Sequence, residues 1–299
     1  RSKLFPYTTL FRSDRTNMHK NAAKERVIPE SYLAYKNQVE QKETMLESPS
    51  TGVPVRCVIT KANNLEKDAP LFINLHGGGF VHPQDGDDDL FCARVAAEIG
   101  GIVVDVDYAV TPEYVFPTAF EQVWDVAEWA FAHAKELGAD SNRISIGGHS
   151  AGGALTAAIC LRAAKTGNMK FALQILDYAA LDNAMSFEPG GNERSRAFSM
   201  LYCDGNVRVL KSPYCSPVFA SGEMLKNQPR TLIINAEHCP FRTVTERYGQ
   251  RLAQAGNEVA FRLFPGSAHG FTIRMTGAWL EAQDLIIRYL KKAEYREVK

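Results

Sequence analysis

Three short stretches carry side chains whose types and order suit acyl-transfer chemistry. The first is Gly148-His149-Ser150-Ala151-Gly152, a G-x-S-x-G run. An apolar strand candidate at 143–146 precedes it, and a small-residue helical pattern over 151–159 follows. A serine on so tight a strand-to-helix turn projects clear of the backbone, and small neighbours allow both the turn and a close approach of substrate. The N-terminus of the next helix favours negative charge developing beside the serine. The second stretch is His76-Gly77-Gly78-Gly79-Phe80, which leaves a strand candidate at 72–75. Successive glycines expose backbone N–H groups with no side chains in the way, and a tetrahedral oxyanion needs such donors. A flexible glycine turn is the plainer explanation, but it leaves the position well ahead of the serine unexplained. The third is His269, in Pro265-Gly266-Ser267-Ala268-His269-Gly270 after a strand candidate at 259–264. A histidine in that loop can reach the serine and act as its base.

The order is HGGG, then G-x-S-x-G, then a late histidine, as expected of an α/β-hydrolase. On these motifs the chain resembles the hormone-sensitive-lipase-like esterase family, which includes bacterial acetyl esterases and carboxylesterases. The resemblance covers about residues 53–291. Two further segments carry it: Asp107-Tyr108-Ala109-Val110-Thr111-Pro112-Glu113, similar to the family's Tyr-Arg-Leu-Ala-Pro-Glu, and Ser212-Pro213-Tyr214-Cys215-Ser216-Pro217, similar to its Pro-Tyr-x-Ser-Pro. The resemblance implies that Ser150 is the nucleophile and His269 the base. It also implies an oxyanion hole built from the N–H groups of Gly78, Gly79 and Ala151. The expected activity is hydrolysis of small-molecule carboxylic esters with small or medium acyl groups, without a cofactor or metal.

One position departs from the family pattern. The triad acid should be an aspartate after the next-to-last strand, which here is 231–235, and Cys239 stands in its place. A buried thiol is a weak hydrogen-bond acceptor and stabilises an imidazolium poorly. Three outcomes follow. Glu237, two residues earlier and on the same side of an extended chain, takes over the role; this is the favoured assignment. Alternatively Asp182, after the preceding strand at 171–177, serves as the acid. In the third case no carboxylate serves, and the protein turns over slowly or binds without turnover, as a non-catalytic small-molecule-binding homologue. Acyl transfer or amide hydrolysis at the same serine is a further alternative.

The elements that must position these groups are legible as alternating patterns. Strand candidates lie near 54–60, 71–75, 102–107, 144–147, 171–177, 231–235 and 259–264, and helical patterns over 87–99, 117–136, 151–166, 242–255 and 276–292. That alternation predicts an α/β fold with a mostly parallel sheet covered by helices on both faces. Unbroken apolar runs such as Ile102-Val103-Val104 and Leu232-Ile233-Ile234 suit strands buried on both sides. Residues 183–212 interrupt the rhythm, and their Met and aromatic residues read as a small helical cap lining a substrate pocket or packing on the core. Residues 19–47 are polar and helix-compatible, with Tyr32, Leu33, Tyr35 and Val39 as an apolar face, and read as a second cap piece over about 18–50. Residues 1–17 look unlike the remainder and read as a non-native or disordered extension, with Met18 a plausible start and 18–299 a single domain.

Composition bounds the rest. Lys plus Arg and Asp plus Glu number 34 each, so net charge argues against nucleic acid or an anionic membrane surface as partner. Apolar runs are too short to span a bilayer. Six cysteines without paired spacing favour a reducing cytoplasm over a disulfide framework. Asp85, Asp87, Asp88 and Asp89 resemble a metal cluster, but helix capping explains them more simply. His149 is expected to pack within the serine turn, and His76 to shape the glycine loop. Trp279 and Tyr289 suit either a homodimer surface or core packing.

Overall fold

The computed structural model describes residues 28–295. Eight strands form one sheet in the order β1-β2-β4-β3-β5-β6-β7-β8. They are β1 (Val39–Leu46), β2 (Val55–Ala62), β3 (Ala69–Leu75), β4 (Ile102–Asp107), β5 (Ala139–His149), β6 (Leu173–Asp177), β7 (Thr231–His238) and β8 (Val259–Ala268). β1 and β2 pair antiparallel, as do β2 and β4, and every other neighbouring pair is parallel. Each strand expected from its apolar run is present.

Among the described residues six longer helices connect them: α1 (Asp89–Ile99), α2 (Thr118–Ala132), α3 (Ala151–Thr166), α4 (Glu193–Tyr202), α5 (Arg242–Gln254) and α6 (Trp279–Lys291). Strand pleating sends alternate residues to opposite faces. Leu71, Ile73 and Leu75 of β3 therefore join one core with α2 and α3, while Phe72 joins Val103 and the buried faces of α1 and α6. All of β3 is buried, as a parallel strand covered on both sides must be.

Strand order reverses around β3, which lies between β4 and β5. In an open α/β sheet the crevice at such a switch point, outside the strands' carboxyl ends, is where ligands bind. Leu75, the last residue of β3, pairs with Gly148 of β5. The glycine loop and the serine turn thus leave adjacent strand ends. Close packing fixes their separation: a Cβ on Gly152 would lie 2.1 Å from the Leu75 carbonyl oxygen, and one on Gly148 2.5 Å from the Gly152 oxygen. Only glycine allows α3 to sit this near β3.

The N-terminal expectation needs correction. Residues 30–38 form a short helical turn and a 3-10 turn, and 39–46 form β1 rather than a helix. Every residue from Val39 to Leu46 pairs with β2, and the exposed edge carries Glu40, Lys42 and Glu43. Charged side chains suit an edge strand, and sheet pairing overrides local helix preference. Tyr32 packs on Trp279 at 5.2 Å and donates to Gln283 Oε1 at 2.5 Å, far from the serine. Residues 28–46 line no part of the cleft around Ser150. The assignment of residues 1–17 as an extension lies outside the described residues. Trp279 and Tyr289 both have partners within the chain, Tyr32 and the Arg230 guanidinium respectively.

Candidate active site

Ser150 sits between β5 and α3 with φ 54° and ψ −111°. A positive φ on a non-glycine residue costs about 1–3 kcal/mol and persists only where its surroundings enforce it. Here they do. The Ser150 N–H donates to the Asp177 carbonyl at 3.0 Å, and the Ser150 carbonyl accepts from Ala154 and Ala180 at 3.2 and 2.9 Å. The turn is pinned to the neighbouring strand end and to the first turn of α3, which leaves Oγ facing the cleft.

The loop after β3 is built by equally local bonds. The His76 ring stacks on Tyr108 at 4.1 Å, and the Tyr108 hydroxyl donates to the His76 carbonyl at 2.7 Å. The Gly78 carbonyl accepts from both Val81 and His82 at 3.1 Å, closing a tight turn. Gly78 and Gly79 have φ 115° and 63°, and a Cβ on Gly79 would meet the Phe198 ring at 2.4 Å. The Gly78 and Gly79 N–H groups donate to no backbone carbonyl among the described residues. A Cβ on Gly77 would be 3.6 Å from the Ser150 Cβ, so this loop lies directly against the serine.

His269 follows β8 and reaches the serine: Nε2 lies 3.0 Å from Ser150 Oγ. Its ring is held edge-on by Tyr178 at 4.9 Å and Phe241 at 5.3 Å. At the other ring nitrogen stands the Cys239 sulfur, 3.2 Å from Nδ1. The sequence expectation for the acid is overturned here. Glu237 accepts instead from the Gly266 N–H at 2.7 Å and is exposed. The reasoning from an extended chain fails because β7 ends at His238 and turns: the Cys239 N–H bonds the Ala236 carbonyl at 3.1 Å. Cys239 therefore swings inward while Glu237 stays outside. Asp182 is occupied as well, its Oδ1 accepting from the Ala184 and Met185 N–H groups at 2.9 and 3.1 Å. No carboxylate bonds the His269 ring among the described residues.

A family model for the alpha/beta hydrolase fold matches residues 72–273, which hold the loop, the serine turn and His269 alike. The chain belongs to the α/β-hydrolase family. Esterase LipI of Mycobacterium tuberculosis is 32% identical over 69% of this chain and 67% of its own. An arylesterase of Saccharolobus solfataricus is 29% identical over 78% and 77%. The structure of a Pyrobaculum calidifontis esterase superposes with a TM-score of 0.81 at 27% identity, covering 94% of this chain and 92% of that one. The resemblance to hormone-sensitive-lipase-like esterases therefore holds, and this α/β hydrolase is a carboxylester hydrolase of the serine type.

The site of this hydrolase is electrostatically unusual. Burial pushes the His269 imidazole down to about 4, and the Arg274 and Arg194 guanidiniums add to the effect. Burial raises the Cys239 thiol to about 11. Proton transfer between them is unfavourable at neutral pH, so imidazole and thiol are both neutral.

A second His–Asp couple lies beneath the serine and was missed by sequence reasoning. His149 Nδ1 is 2.7 Å from Asp177 Oδ2, both fully enclosed, and Thr272 donates to Asp177 Oδ1 at 3.3 Å. Burial opposes the His149 charge, but the Asp177 bond and the nearby Asp88 carboxylate outweigh it and raise its pKa. The pair arises from strand register, with His149 and Asp177 directly opposed at the ends of parallel strands β5 and β6, and no sequence pattern signals it. Asp88 also departs from its expected capping role. Its side chain makes no cap bond and accepts from Asn74 Nδ2 at 2.9 Å. Asn74 bonds Asp105 too, whose carboxyl is raised to about 7 by burial and by Asp88. Among the described residues no group of three His, Cys, Asp or Glu side chains could hold a metal ion.

The cleft above Ser150 has a volume of about 510 Å³. Its floor is the glycine loop and Ser150. Its roof comes from the 183–212 insertion through Met185, Asn192, Phe198 and Ser199, with α4 as the main roof element. Asn192 caps α4, accepting from the Ser195 N–H at 3.0 Å.

Proposed function

We propose that Ser150 attacks the ester carbonyl, with His269 as general base and the Gly78, Gly79 and Ala151 N–H groups as oxyanion donors. The observation that carries this reading is the 3.0 Å approach of His269 Nε2 to Ser150 Oγ, beside a glycine loop whose Gly78 and Gly79 amides have no backbone acceptor among the described residues. For Nε2 to accept the serine proton, Nδ1 must carry its own proton and point it at the Cys239 sulfur. Attack moves the Oγ proton to Nε2 and forms a tetrahedral oxyanion. Collapse of that species breaks the bond to the alcohol, and His269 returns the proton to the leaving oxygen. Water, deprotonated by His269 in turn, releases the acid and restores the serine. In this scheme Cys239 orients the ring by a neutral hydrogen bond and supplies no negative charge, so the imidazolium formed in each step is poorly stabilised.

The cleft volume suits small or medium acyl groups, since ligand pockets of about 300–1,000 Å³ enclose drug-sized molecules. The six buried free thiols support a reducing, cytoplasmic setting. No helix among the described residues is long and apolar enough to cross a membrane. The contact between Cys239 and His269 favours a second reading, in which turnover is slow and binding is the principal role. Hydrolysis of p-nitrophenyl acetate, followed with mass analysis for an acyl adduct, separates the two. The expected result is turnover that Ser150→Ala abolishes, together with an adduct on Ser150. Hydrolysis that survives Ser150→Ala refutes the assignment.

A further inference from the structure

Charges of both signs line the cleft: Asp85, Asp87 and Asp88 among the acids, Arg194 of α4 and Arg274 among the cations. Arg274 and Arg194 both lie near enough to His269 to disfavour its imidazolium. Arg274 closes the short turn Phe271–Arg274 and donates its backbone N–H to the Gly270 carbonyl at 3.0 Å. Its side chain folds back over Gly270, the residue after the base: a Cβ there would lie 3.1 Å from Arg274 Nε and 3.3 Å from Cζ. The absence of a side chain at Gly270 lets the guanidinium settle beside the base. Arg274 is exposed, and among the described residues no carboxylate lies within ion-pair distance of it.

A cation fixed beside a catalytic base carries a cost unless something anionic arrives, because it opposes the imidazolium that forms in the transition state. A bound anion removes that opposition. The direction of the reaction fixes where such an anion must sit. His269 delivers its proton to the leaving oxygen, so the alcohol portion of the ester lies on the Arg274 side, while the carbonyl oxygen turns toward Gly78 and Gly79.

We propose that Arg274 makes this hydrolase selective for esters whose alcohol portion carries a carboxylate, held by the guanidinium fork as the leaving oxygen is protonated. The proposal rests on Ser150 and His269 acting as described above. Arginine suits this task because its planar donor pair matches a carboxylate, a geometry that lysine lacks.

The test compares kcat/KM for 4-acetoxybenzoate with that for its neutral methyl ester, in the parent protein and in Arg274→Gln and Arg274→Glu. The expected result is a ratio favouring the anionic ester that falls about tenfold in Arg274→Gln, further in Arg274→Glu, and also on raising salt. A ratio unchanged within twofold in both variants overturns the proposal while leaving ester hydrolysis intact. Failure of the parent protein to cleave either ester removes the catalytic reading instead. Calorimetric titration with 4-hydroxybenzoate then still decides the role of Arg274: binding weakened several-fold in Arg274→Gln supports it, and equal affinity refutes it.

Discussion

Replacing Cys239 by aspartate should accelerate this enzyme. The sulfur is 3.2 Å from His269 Nδ1, and aspartate places its oxygens one bond further from Cβ, within reach of the same proton. The charge change matters more than the distance. In the serine-protease template, loss of the acid's function costs about 10⁴ in turnover, or roughly 5.5 kcal/mol of barrier. Not all of that returns here. The site is nearly closed to water, with Cys239 only 6% exposed, and Asp177 lies near enough to repel a second charge. Against this, the nearby Phe241 and Arg242 backbone N–H groups favour the charged form and would help to hold a carboxylate. Recovery of about half the logarithm gives a gain near 10² in kcat, or roughly 2.7 kcal/mol. The assay is steady-state hydrolysis of p-nitrophenyl acetate, with Cys239→Asn as an uncharged control of similar shape and thermal melting to verify folding. A folded Cys239→Asp protein with kcat within threefold of the parent, or an equal gain in Cys239→Asn, would refute the electrostatic argument.

Other outcomes follow from the same geometry. Only neutral His269 accepts the serine proton, and its pKa is depressed to about 4, so kcat/KM should be flat from pH 7 down to about 5 and fall near 4; a limb near 6.5 contradicts the burial argument. Glu237→Gln should leave kcat within threefold, since its carboxylate serves Gly266, and a hundredfold loss in a steady-state assay would restore it to the site. Gly79→Ala should lower kcat by about 10²–10³, the loss expected for a displaced oxyanion donor, because its methyl would strike Phe198 at 2.4 Å. Asp177→Ala should destabilise the fold by about 3–5 kcal/mol in denaturant titration, the penalty for orphaning a buried charged partner, and an apolar replacement of both His149 and Asp177 should recover most of it.

The elements with strong physical signatures were readable from the chain. Parallel strands buried on both faces leave unbroken apolar runs, and glycines at 148 and 152 record a contact too close for any side chain. Ser150, His269 and the glycine loop follow from those landmarks. β1 was unreadable because it is a polar edge strand, stabilised by a partner rather than by its own pattern. The 183–212 insertion is legible as a small helical cap but the bounds of α4 are not, because Arg194 and Arg196 break its apolar face, and it is ordered by the Asn192 cap and its seat over the cleft. The acid position misled for a different reason. Side-chain parity holds only while a strand stays extended, and β7 turns one residue too soon for Glu237. The His149–Asp177 pair depends on register between strands far apart in sequence, which no local pattern encodes.

The contact of Gly152 with the Leu75 carbonyl has an evolutionary corollary. Donors and nucleophile are welded into one unit, where even a methyl group is excluded. Descendants of this enzyme that acquire new tastes must therefore do so by remodelling the canopy, where the side chains of Met185, Arg194 and Phe198 face the cleft. Diversification is channelled to one side of the reaction chamber while the anvil beneath stays unaltered.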